Sequence, residues 1–112
     1  MASTINPLFT PQQLAAAAAT LFTAVIPTQI VKLTLVNSST TTPYTATVYL
    51  VPPAGTPGLT NIIVNAKQLQ ANESWDVWPA IGHIMGIGYA LSAFASVANQ
   101  ITAFGSGLMV SS

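Results

Sequence analysis

The sequence predicts an all-β protein, an antiparallel β-sandwich or jelly-roll-like barrel of about six to eight short strands with an extended or partly helical N-terminal arm. Two observations predict it. Residues Ile30–Val51 alternate with a period of two, as half-buried strands require. Short apolar runs elsewhere are separated by clusters of Pro, Gly and Asn, with no βαβ rhythm and no internal repeat. Residues 1–19 form the arm or a short helix, and residues 20–112 a single sandwich domain.

Taken in order, Met1–Gln13 is polar and punctuated by proline, with Leu8 and Phe9 between Pro7 and Pro11 as two exposed apolar side chains. Thr10 before Pro11 offers an N-cap and first helical residue, so Gln12–Ala19 reads as a short helix on alanine propensity. The competing reading is extended chain leading into a strand at Thr20–Val25. Pro27 breaks the chain. Val31, Leu33 and Leu35 then share one side of a strand, opposite Lys32 and Thr34. Asn37–Pro43 is a polar loop, either a wide hairpin or a crossing between sheets. In the next strand Ala46, Val48 and Leu50 alternate with Thr45, Thr47 and Tyr49.

Pro52–Gly58 is a rigid loop whose three prolines cannot join a ladder. Asn61–Leu69 is a further strand, with Ile63 and Leu69 on one side and Ile62, Val64 and Ala66 on the other. After a turn at Ala71–Glu73, Trp75 and Val77 alternate with Asp76 and Trp78 until Pro79. Tyr89–Ser96 and Ile101–Val110 complete the set, joined through Val97–Gln100.

The chain has 112 residues and 11.6 kDa, enough for one core, and no cysteine. Only 4% of residues are charged, namely Lys32, Lys67, Glu73 and Asp76, and the net charge is zero. An ordinary soluble domain carries about 25%. A monomer of this mass exposes roughly 5,800 Å², or about 1,500 Å² for each charge. Such a surface self-associates readily and makes most sense when other protein covers it. Ala80–Ala98 has no Lys, Arg, Asp or Glu, is long enough to span a bilayer and contains Gly82-x-x-x-Gly86. It is also diluted by small residues, its second half alternates like a strand, and no basic residue follows Lys67. The N-terminus lacks the basic and apolar regions of a secretory signal. Neither a secreted nor a membrane protein is expected.

Chemistry finds little purchase. Ser74, Asp76 and His83 supply the residue types of a hydrolytic triad, but no Gly-x-Ser-x-Gly elbow surrounds any serine. Gly86-Ile87-Gly88 lacks the third glycine of a dinucleotide loop, with Leu91 in its place. One histidine and two carboxylates make a weak metal set, and two lysines without arginine cannot neutralise a phosphate track. The expectation is a non-enzymatic protein without cofactor, metal or nucleic acid. Contact surface remains, with Leu8, Phe9, Leu14, Tyr44, Tyr49, Trp75 and Trp78 as candidate interface residues. Trp75 and Trp78 lie on opposite faces by alternation, so one of them stays exposed in a monomer.

The segments LFTAVIP, IVKLTLVNSS, ATVYLVPPAG, NIIVNAKQLQANES, Gly82-His83 and GIGYALSAFAS together resemble a family of small virion proteins of tailed bacteriophages. The resemblance runs from about Gln13 to the C-terminus. It implies a β-sandwich used repeatedly in a particle, as a capsid cement or decoration protein or as a tail, neck or fibre-base adaptor. It also implies a location in the virion, on the capsid surface before the tail. Its implied partners are the major capsid protein or other virion proteins, with assembly into a homo-oligomer, a dimer or trimer. The family has no catalytic residues. The turn before the penultimate strand, Gly88-Tyr89, lacks the acidic or polar residue usual there and makes this chain more apolar.

Overall fold

The computed structural model describes residues 2–111, with side chains from 5 to 109. Ten strands form two antiparallel sheets: β1 (Ala2–Pro7), β2 (Gln12–Gln13), β3 (Ala19–Thr23), β4 (Thr28–Asn37), β5 (Tyr44–Val51), β6 (Ile62–Leu69), β7 (Ser74–Asp76), β8 (Ile84–Met85), β9 (Ala90–Ala95) and β10 (Ile101–Ser111). The first sheet has the order β1-β10-β4-β7, with β2 also on β10 and β8 also on β4. The second has the order β3-β9-β5-β6. Among the described residues only β5 and β6 are neighbours both in sequence and in a ladder. Most connections pass between sheets, which is the all-β sandwich expected from the sequence. The Asn37–Pro43 loop is accordingly a crossing and not a hairpin, since β4 and β5 belong to different sheets.

Ile30, Leu33, Leu35, Ile101 and Ala103 of the first sheet and Ala46, Val48, Val64, Leu69, Leu91, Ala93 and Ala95 of the second form one core. β10 threads closely past its neighbours. A Cβ at Gly107 would stand 2.6 Å from Leu8 and 3.0 Å from the Gln29 carbonyl, so only glycine fits there.

Four expectations are corrected. Gln12–Ala19 is not helical: its backbone is taken up by β-type pairing, with Leu14 N donating to Ile101 O at 2.8 Å and Ala95 N to Ala15 O at 2.9 Å. Ala15–Ala19 is exposed, and a short helix with nothing to bury is marginal in water. Val31 is not on the core side with Leu33 and Leu35. The β4–β10 register slips between Ser106 and Gly107, which leaves Val31 as the extra residue of a bulge and turns Ile30 inward instead. In β6, Val64 and Leu69 share the buried side although alternation separates them. One register shift against β5, between Ala46 and Val48, resets the parity from Lys67 to Val64, and Ala66 sits there at φ 52° with its N–H donating to the Thr47 hydroxyl at 3.1 Å. Last, Leu8 is buried (7% exposed) and Phe9 half-buried, because the N-terminal segment runs along β10 and tucks both rims of its turn into the chain's own core.

Candidate interaction surface

The accessible surface is 5756 Å², ordinary in extent for this mass. Its composition is not ordinary, and it divides between the two ends of the sandwich. β4 runs from one end, at Thr28, to the other, at Asn37, roughly 30 Å away at the usual strand rise.

The Asn37 end is hydrogen-bonded to itself. Asn37 is fully buried, and its side-chain amide reaches the carbonyls of Thr42 (3.0 Å), Leu69 (3.1 Å) and Gln70 (3.2 Å) while Oδ1 accepts from Ser39 N at 3.0 Å. Ser39 Oγ accepts from Thr42 N, and Glu73 Oε1 from Gln70 N at 2.6 Å. The remaining charges lie on the same half or the middle of the molecule. Lys67 stands 5.3 Å above the Trp75 ring. Lys32 Nζ lies 2.9 Å from Asp76 Oδ2, and Thr34 donates to Oδ1 at 2.8 Å. The Lys32 ammonium first, then the Thr34 hydroxyl, hold the Asp76 carboxyl below its ordinary value of 3.8. All four charged side chains are therefore engaged within the chain.

The Thr28 end is different. Its loops are residues 24–31, 52–61 and 77–89, which contain no Asp, Glu, Lys or Arg, and the start of β1 and the end of β10 run past Thr28 beside them. Their backbones are tied together: Ala24 N donates to Tyr89 O and Gly88 N to Ala24 O, both at 2.8 Å, and Ile30 N donates to His83 O at 2.9 Å. Gly88 holds a φ of +90° against Pro53, where a Cβ would come within 3.0 Å of the ring. From this tied frame large apolar side chains project into solvent: Val25 (77% exposed), Leu59 (86%), Trp78 (72%), Ile84 (68%) and Ile87 (65%), with Ile81 beside them.

Trp78 is held out by its own neighbours. Val77 and Ala80 are fully buried, and the turn between them closes with Ala80 N on Val77 O and Ile81 N on Trp78 O. Val77 N reaches Leu33 O at 2.7 Å and Gly82 N reaches Ile30 O at 2.6 Å, which fixes the loop to β4 at two points. Next to it opens a groove of about 700 Å³ lined by Leu50, Ile62, Ile63, Pro79, His83 and Tyr89 among others. A second hollow of about 260 Å³ lies over β10, between Pro7, Phe9, Pro11 and Phe104.

The candidate interface residues divide accordingly. Leu8 and Leu14 are consumed by the core, and Phe9 and Tyr44 are half-buried against it. Tyr49 stacks on Phe94 on the outer face of the second sheet, ring centres 6.2 Å apart. Trp75 packs against the core and Trp78 is exposed, the split that alternation requires. Sequence reasoning missed Val25, Leu59, Ile84 and Ile87. The signal available was the absence of charge over 77–89, which reads equally as a buried run.

The triad residue types are not brought together. Asp76 pairs with Thr34 on β4 and His83 O accepts from Ile30, four residues along the strand and about 13 Å away. No group of three His, Asp or Glu side chains gathers among the described residues. No helix among them is long and apolar enough to cross a membrane; residues 80–98 form turns, β8 and β9.

No protein-family model matches the chain, and no curated protein matches it. Solved structures from a virus are among those that share its fold. A chain from the structure of infectious bursal disease virus Gt strain is 15% identical with a TM-score of 0.51, over 95% of this chain and 32% of that one. A chain from the Gx strain is 17% identical with a TM-score of 0.50, over 96% and 31%. This chain thus spans about a third of the length of either, and the likeness is one of fold.

Proposed function

We propose that this protein is a non-enzymatic structural component of a virus particle, a capsid cement or decoration protein that stabilises a shell through protein–protein contacts. The observation that carries the reading is the charge-free end with its exposed tryptophan, isoleucines and leucine on a sandwich scaffold of a kind also found in a virus structure. A stapling subunit needs many weak contacts repeated by symmetry. Apolar burial at about 25 cal/mol per Å² supplies them without ionised groups. The sequence resemblance to tailed-phage virion proteins supports the same role, and the partner on this reading is a major capsid protein or another virion protein.

Quantitative gel densitometry of purified particles tests this. Hundreds of copies per particle are expected, and a handful would move the protein to the tail or neck as an adaptor. Shells stripped of it lose heat resistance, and rebinding stays within about twofold between about 50 and 500 mM salt, because few charges are available to screen. Absence from particles overturns the reading.

A further inference from the structure

We propose that the Thr28 end is a two-fold contact between copies of this chain, in which Trp78 of each copy enters the groove of the other. It deepens the reading above and rests on it for its place in an assembly, but its geometry belongs to the isolated chain.

Knob and hole are adjacent on one surface. Pro79, bonded to Trp78, lines the groove that Leu50, Ile62, Ile63 and Tyr89 floor. A two-fold axis set between them lets both insertions form at once, which is the condition of an isologous contact. The backbone that carries the indole is pre-positioned, since Val77 and Ala80 bury on either side and the turn is hydrogen-bonded to β4. Little order remains to be imposed on binding. The groove, about 700 Å³, admits an indole, and Thr60 among its lining residues carries a hydroxyl able to accept from the indole N–H.

Area and charge favour a second copy as occupant. Weighted by their exposure, Val25, Leu59, Trp78, Ile81, Ile84 and Ile87 offer roughly 500 Å² of apolar side chain. A standard interface takes about 800 Å² from each partner, about 65% of it apolar in homodimers, which is the same quantity. Near a two-fold axis any charged side chain meets its own like. A patch without Lys, Arg, Asp or Glu avoids that repulsion, and it also lacks the complementary charge that would select a different partner.

The test is sedimentation velocity of the purified full chain over a concentration series, with Trp78→Ala, Thr60→Glu and an equimolar mixture of the two. The wild type is expected to dimerise at tens of micromolar. Each variant keeps the wild-type thermal melt, because both sites are exposed, and its dimer dissociation constant rises about 30-fold or more. The mixture recovers dimer, since one intact Trp78 meets one intact groove. A wild type monomeric at about 1 mM, a trimer, a Trp78→Ala chain that dimerises normally, or a mixture no better than its parts would each overturn the proposal. A monomeric chain that is nevertheless abundant in particles overturns this contact alone and leaves the virion role standing.

Discussion

The two ends of this sandwich solve the problem of loop polarity in opposite ways. At the Asn37 end, the loops between sheets are rich in Asn, Ser, Thr and Gln, and they bond to one another. One buried amide reaches three carbonyls, of which that of Gln70 also accepts from Glu73 N. At the Thr28 end the backbones are equally well tied, yet the side chains facing solvent are Trp, Ile, Leu and Val. A loop can thus be internally satisfied and still externally unfinished. Backbone order belongs to the chain, whereas the cover for those side chains is, on the proposed reading, a neighbouring subunit.

Substitutions at each end sharpen the contrast. The largest loss is expected at the self-contained end. Asn37→Ala removes the amide from three carbonyls and should cost about 2–4 kcal/mol in denaturant unfolding, with no change in self-association. Next comes Gly107→Ala, whose methyl meets Leu8 and the Gln29 carbonyl; a loss of about 1–3 kcal/mol is expected from overpacking. Lys67→Met takes the ammonium off Trp75 and should cost about 0.5–1 kcal/mol. Ile87→Ser at the unfinished end should leave stability within about 0.5 kcal/mol while weakening association, the reverse of Asn37→Ala. A large unfolding penalty at Ile87 would erase the distinction between the ends.

The smallest effect concerns pH. Asp76 has a lowered pKa in the folded chain, so the unfolded chain binds more protons in acid. The contribution of the Lys32–Asp76–Thr34 cluster is fully present above 3.8 and is lost as pH falls through the lowered value. Lys32→Met should flatten that acid limb of a stability–pH curve; an unchanged limb would show the pair to be idle.

The sandwich was legible in the sequence because β4, β5, β9 and β10 are long runs with clean alternation or β-branched content. Its register was not. Val31 reads as a core residue until β10 slips by one against it, and Val64 reads as lying opposite Leu69 until one bulge resets β6 between them. Bulges are properties of a strand pair, and a single strand's pattern does not contain them. The alanine run at Ala15–Ala19 carried helix propensity without any buried face to realise it. At the candidate surface, the exposure of one of Trp75 and Trp78 was legible from their opposite parity, but not that it is Trp78. Ile84 and Ile87 were not, because an uncharged run from 77 to 89 has the same composition whether it is buried, lipid-facing or docked.

Hydroxyl-radical footprinting of the chain, dilute and concentrated, asks most directly whether the apolar end is a contact surface. Oxidation of Trp78, Ile84 and Ile87 should fall several-fold on concentration while that of Tyr44 and Trp75 stays constant. Equal oxidation of Trp78 at both concentrations, in a chain that keeps its melting temperature, would contradict the account.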